Sequence, residues 1–126
     1  MKTAKEVLTR AKELEDELNK DVKAGEERTE VLPICLNISP DDQAIAFIKH
    51  PNYDEMCYAF EKMATGNAMD GAEAVLDRCL MKEESDARFQ DKTHKKIRFT
   101  AVRECIQFVK GYENEVKKKS DSIPVR

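Results

Sequence analysis

The chain has 126 residues, 40% of them hydrophobic and 37% charged, with a net charge of −3 and four cysteines. That length suits a single domain with a modest core, the apolar content is sufficient for folding, and the mild acidity argues against a protein whose main business is coating nucleic acid. No window approaches the roughly eighteen apolar residues of a spanning helix, and Met1-Lys2-Thr3-Ala4-Lys5-Glu6 opens a charged helix pattern rather than a secretory leader, so a cytoplasmic protein without a membrane segment is expected.

From Thr3 to Ala24 the apolar residues Val7, Ala11, Leu14, Leu18 and Val22 recur at steps of three and four among Lys, Glu and Asp, which predicts an amphipathic helix. Thr3 with Glu6 forms a capping box, and Gly25 supplies a left-handed C′ position. The stripe is as narrow as a coiled-coil seam, so these five residues are the candidate partner-binding set and a route to homo-oligomers. The plainer reading, that the stripe docks on the chain's own core or frays, stays open.

After Glu26-Glu27-Arg28 the chain alternates in two runs, Thr29 to Ile38 and Gln43 to Lys49, separated by Ser39-Pro40-Asp41-Asp42. This predicts a β-hairpin, with Pro33 confining the first strand to an edge or to a start beyond that residue. Such a hairpin needs helices on its apolar face or another strand on its edge, and that strand can come from another subunit. Asn52 with Glu55 opens a second helix carrying Tyr53, Met56, Cys57, Phe60, Met63 and Ala64 on one face, stopped by Gly66. Asp70 with Glu73 opens a third, burying Ala72, Val75, Leu76, Cys79 and Leu80. An acidic loop with Glu83, Glu84, Asp86 and Asp91 precedes the last helix, which starts near Asp91 or Thr93. Its stripe of Ile97, Ala101, Val102, Cys105, Ile106, Phe108, Val109 and Tyr112 is wide enough for the central core helix, and Gly111 is a point where it bends or ends. The expected fold class is therefore α+β, mostly helical: an N-terminal amphipathic helix, one β-hairpin, then three helices. Residues 1–28 form the first helix and connector, 29–119 a small α+β domain, and 120–126 a disordered tail.

Chemistry-bearing patterns are sparse. The cysteines Cys35, Cys57, Cys79 and Cys105 lie far apart, with no Cys-x-x-Cys pair and no His at ligand spacing, so no metal site is expected. Cys57, Cys79 and Cys105 sit among apolar neighbours and are read as buried, reduced thiols. Four isolated glycines, Gly25, Gly66, Gly71 and Gly111, make neither a phosphate loop nor a dinucleotide fingerprint. His50 and His94 lack a carboxylate or second His at a telling offset and read as surface residues. No catalytic residue and no cofactor are assigned, and an enzyme is not expected. Lys92, Lys95, Lys96, Arg98 and Arg103 form a basic run, read as a solvated helix face that the acidic loop neutralises and that lacks exposed aromatics among its charges. Nucleic acid is accordingly not the expected partner.

Taken together, Ala44-Ile45-Ala46-Phe47-Ile48-Lys49-His50-Pro51, then Asn52-Tyr53-Asp54-Glu55-Met56, then Asp70-Gly71-Ala72-Glu73-Ala74-Val75-Leu76-Asp77-Arg78-Cys79-Leu80 resemble the tail assembly chaperones of tailed bacteriophages over residues 31–118. After the Cys, Leu80-Met81-Lys82 leads straight into Glu83, where that family often carries an aromatic and glycines. The resemblance implies a non-enzymatic factor of virion morphogenesis in the host cell cytoplasm that binds tape-measure or tail-tube protein. Two other functions remain in view: a structural virion component, such as a head-tail connector or tail accessory protein, and a small regulatory or nucleic-acid-binding protein.

Overall fold

A computed structural model describes residues 1–121, with side chains through Lys110. The elements run α1 (Ala4–Leu18), β1 (Val31–Ser39), β2 (Asp42–Lys49), α2 (Tyr53–Thr65), α3 (Ala68–Cys79), a 3₁₀ turn (Ala87–Gln90) and α4 (Lys95–Asp121). The chain is 55% helical and 16% strand, in the expected order of helix, hairpin and three helices.

The hairpin lies between two helical layers because its side chains alternate. Ile34, Ala44, Ala46 and Ile48 point to one face and join Ala72, Val75, Leu76 and Cys79 of α3 and Ile97, Ala101, Val102, Cys105 and Val109 of α4 in the main core. Val31 and Phe47 point the other way and pack with Val7, Ala11 and Leu14 of α1, with Ile45 and Met81 at the margin. The first helix thus shares a core with the hairpin, across the boundary drawn at residue 28.

Three capping boxes start α1, α2 and α3: Thr3 with Glu6, Asn52 with Glu55, and Asn67 with Asp70. The third lies one turn before the Asp70 and Glu73 pair expected from sequence. Asn67 accepts from the backbone N–H of Asp70 at 3.2 Å, and the Asp70 carboxylate accepts from the Asn67 N–H at 2.9 Å, so Asp70 is the third residue of the helix and not its cap. Gly71 follows where α3 crosses α2, and a Cβ there would meet the Ala59 carbonyl oxygen at 2.9 Å.

Helix α1 is shorter than the expected Thr3 to Ala24, and Asn19 is the reason. Its buried side chain donates to the carbonyls of Glu15 and Thr29, each at 2.7 Å, and accepts from the Thr29 N–H at 2.7 Å. This amide imitates a strand neighbour and folds the chain back toward β1. Gly25, expected as the C′ residue of that helix, instead takes φ +90 in a turn closed by Glu26 N–H to Lys23 carbonyl at 3.0 Å.

The other differences are local. Tyr53, Cys57 and Ala64 of α2 are exposed, because Ala59 and Met56 face inward instead. Phe89 in the 3₁₀ turn, inside what reads as a polar loop, is fully buried. Helix α4 starts at Lys95 and continues through Gly111. Of the expected tail 120–126, Ser120 and Asp121 belong to α4, while residues 122–126, like the side chain of Tyr112, lie outside the described residues. No helix among the described residues is long and apolar enough to cross a membrane.

Candidate partner-binding surface

Of the five residues singled out on the first helix, the chain's own hairpin covers three. Val7, Ala11 and Leu14 are buried, at 3%, 5% and 3% exposure, because the second face of the hairpin covers them. Leu18 is 41% exposed at the end of α1, and Val22 lies half-buried in the loop that follows. Of the two readings the sequence left open, docking on the chain's own core holds for Val7, Ala11 and Leu14, and Leu18 and Val22 lie outside that contact. The outer side of α1 carries Leu8 among Lys5, Lys12, Glu13 and Asp16, a single apolar side chain within mixed charge.

The two rims of the hairpin differ. Along β2, the Phe47 carbonyl accepts from the Met81 N–H at 2.9 Å, the Phe47 N–H donates to Ser85 Oγ at 2.9 Å, and the Ile45 carbonyl accepts from the Asp86 N–H at 2.8 Å. The chain's own segment after α3 thus covers that rim, with a bridge between Ile48 and Leu80 at its start. Arg88 locks the arrangement by donating to both carboxylate oxygens of Asp42 at the hairpin tip, at 2.8 and 2.9 Å, and to Asp86 at 2.8 Å. The hydrogen bonds from Arg88 hold the Asp42 and Asp86 carboxyls below the ordinary aspartate range.

Along β1 no third strand pairs among the described residues. Pro33 and Cys35 are opposite Phe47 and Ile45, whose backbone groups point away from the hairpin, so the backbone groups of Pro33 and Cys35 point away on the other side. Pro33 has no N–H to offer, and the Val31 N–H donates to the Glu15 carboxylate at 3.0 Å. The first half of this rim thus has no N–H left to donate. The second half, from Cys35 to Asn37, is open. A bulge between Asn37 and Ser39 leaves Ile38 without a partner on β2 and 40% exposed. Beside it lies a groove of about 280 Å³ between Leu36, Asn37 and Ile38 of β1 and Lys95, Lys96 and Ile97 at the start of α4.

The basic run divides into two environments. Arg98 is buried and donates to the Phe89 carbonyl and to Asp77, each at 3.0 Å, so it ties α4 to the 3₁₀ turn and α3 instead of facing solvent. Its guanidinium Nε is buried without a hydrogen-bond partner. Lys92, Lys95, Lys96 and Arg103 are exposed. Of the acidic loop, Glu84 pairs with Arg10 at 2.9 Å and Asp86 with Arg88 at 2.8 Å, whereas Asp91, which accepts from the Thr93 hydroxyl at 2.7 Å and lies 3.8 Å from His94, keeps its charge beside the start of the basic run. Phe99, 50% exposed, stands one helical turn from both Lys96 and Arg103, so an exposed aromatic does lie among these charges.

Cys79 and Cys105 are buried, and loss of solvation pushes both thiols up to about 12. Cys35 and Cys57 are exposed, which corrects the expectation for Cys57. Among the described residues no group of three His, Cys, Asp or Glu is placed to hold a metal ion.

The open rim was visible in the sequence only in part. Pro33 marks an edge strand, but the bulge that turns Ile38 outward has no local signal in Asn37-Ile38-Ser39, and the meeting of β1 with the start of α4 depends on tertiary packing. Phe99 falls outside the phase of Ile97, Ala101, Val102 and Cys105, and that offset alone marks it as outward-facing. Comparison with family models, with curated proteins and with solved structures gives no match.

Proposed function

We propose that this chain is a non-enzymatic protein-binding factor that holds its client stoichiometrically at the free rim of the hairpin. The observation that carries this reading is the asymmetry of the two rims. The β2 rim is covered by Leu80 to Asp86, whereas the β1 rim from Cys35 to Asn37 is open beside an apolar groove. An unpaired edge is an aggregation hazard unless something covers it, and strand addition is a common way for a small domain to take an extended client. The resemblance to phage tail assembly chaperones supplies the client in this proposal: tape-measure or tail-tube protein, held in the host cytoplasm during virion assembly.

Co-expression with the tape-measure or tail-tube protein of the same phage tests the proposal. The two proteins should co-purify as a complex of fixed stoichiometry, Cys35→Pro should abolish that complex, and the chain should be missing from finished particles. Failure to co-purify with either client removes the chaperone reading. Presence in finished particles shifts the function to a structural tail or connector component. A second reading, binding of single-stranded nucleic acid, draws on Phe99 between Lys96 and Arg103. Retention on single-stranded DNA that falls steeply with salt is its signature.

A further inference from the structure

We infer that the open half of the β1 rim and its groove take an extended segment of a partner protein, added as a third strand, whose groove-facing side chains are both apolar and acidic. The inference rests on the protein-binding reading above and names the chemistry of the client at that site. Outward N–H donors come from Cys35 and Asn37 alone, because Pro33 has none and the Val31 N–H is taken by the Glu15 carboxylate. An added strand is thus confined to the half that lies against the groove. Its side chains alternate, so every second one faces the groove, where Leu36, Ile38 and Ile97 fit aliphatic groups and Lys95 and Lys96, on the same side of the sheet, fit carboxylates.

Charge decides what else the groove-facing positions must carry. The rim ends at the first turn of α4, where His94, Lys95 and Lys96 line the groove and Lys92 stands close in sequence; the Asp91 carboxylate lies 3.8 Å from His94, and the three lysines make no ion pair to any described residue. The first turn of α4 contains no acidic residue, so the partial positive charge of its free N–H groups adds to the lysines. A carboxylate-bearing strand satisfies this field and a neutral or basic one does not. The same consideration disfavours a second copy of this chain in edge-to-edge pairing. Residues 31–39, Val-Leu-Pro-Ile-Cys-Leu-Asn-Ile-Ser, contain no Asp or Glu, so a partner β1 would leave both sets of lysines unanswered.

The test uses the full chain and a fluorescent, end-blocked peptide in which isoleucine and glutamate take turns at every second position with threonine between them, followed by anisotropy across a salt series. Saturable binding that weakens with salt is expected, with no binding of the counterpart in which lysine replaces glutamate, and none of a version N-methylated at alternate residues. Cys35→Pro replaces one outward N–H by a proline ring, spares the backbone ladder between β1 and β2 and gives up only the exposed contact of the Gln43 amide with Cys35 Sγ at 3.2 Å, so it should abolish binding while the fold persists. Lys95→Glu with Lys96→Glu, at two exposed positions, should abolish binding of the glutamate peptide while the fold persists. Equal binding of the lysine peptide, or binding unaffected by both variants, overturns the inference. So does a dimer that Cys35→Pro dissolves, which makes a second copy the occupant, or single-stranded DNA binding lost on Lys95→Glu with Lys96→Glu where the peptide shows none. If the peptide fails but Cys35→Pro still abolishes the client complex, the acidic chemistry falls and the protein-binding surface stands. If the client complex also survives Cys35→Pro, both fall.

Discussion

Arg88 engages two carboxylates from separate parts of the chain, and that arrangement is sensitive to acid. Asp42 and Asp86 titrate below the ordinary aspartate value of 3.8, chiefly because Arg88 donates hydrogen bonds to their ionised forms. A carboxyl depressed in the folded state contributes stability that is present in full above its unfolded pKa and is lost as pH falls through the folded one. Arg88→Ala should therefore lower the melting temperature by a few degrees at neutral pH, and the gap from wild type should narrow below about pH 4. A thermal melt series across pH checks this, and a gap that stays constant into acid would show that Arg88 acts by packing alone. Arg98 is a different kind of residue. It is sequestered between α3, α4 and the 3₁₀ turn, and its bond to the Phe89 carbonyl satisfies an acceptor that would otherwise be stranded beside a buried aromatic ring.

Among the elements, α1 shows how an amphipathic stripe can be read correctly in phase and yet leave its partner undecided. The spacing of Val7, Ala11 and Leu14 dictates a helix with one apolar side, but nothing local distinguishes the chain's own sheet from a second molecule. The hairpin answers it with Val31 and Phe47, odd-numbered positions whose alternation gives the strand pair a second apolar face. Leu14→Asp should destabilise the protein by about 3 kcal/mol or more, since a charge enters an apolar contact. Leu18→Asp, at a 41% exposed position, should stay within about 0.5 kcal/mol. Chemical denaturation of the two variants tests the docking, and equal, small effects would show that α1 does not hold to the sheet in solution. The hairpin and the first two capping boxes were legible in the sequence because each rests on residues within a few positions of one another, whereas the start of α3 was read one turn late and Gly25 lies beyond the end of α1. Asn19, Phe89 and Arg98 were not legible. Each is a polar residue or a loop aromatic whose partner is distant in the chain, at Thr29, in the main core and on Asp77 respectively.

At the scale of the whole molecule, the cysteines report on where the structure is continuous. Cys79 and Cys105 lie in the main core that joins the hairpin to α3 and α4, whereas Cys35 and Cys57 are exposed. A thiol reagent should label Cys35 and Cys57 promptly under native conditions, and Cys79 and Cys105 only at the rate of global unfolding. Mass spectrometry of peptides after timed labelling distinguishes these classes, and prompt reaction at Cys105 would mean that α4 detaches from α3 as a local event. The layering also sets the order in which the molecule can come apart. The α1 layer rests on a small patch around Val31 and Phe47, while the main core ties three helices to the opposite face of the sheet. Thermal excitation reaches the smaller contact first, so the sheet loses its N-terminal cover before its helical base. Release of that cover bares Val31 and Phe47 on a hairpin that is still folded, and the protein then holds a second adhesive face in reserve behind its first helix.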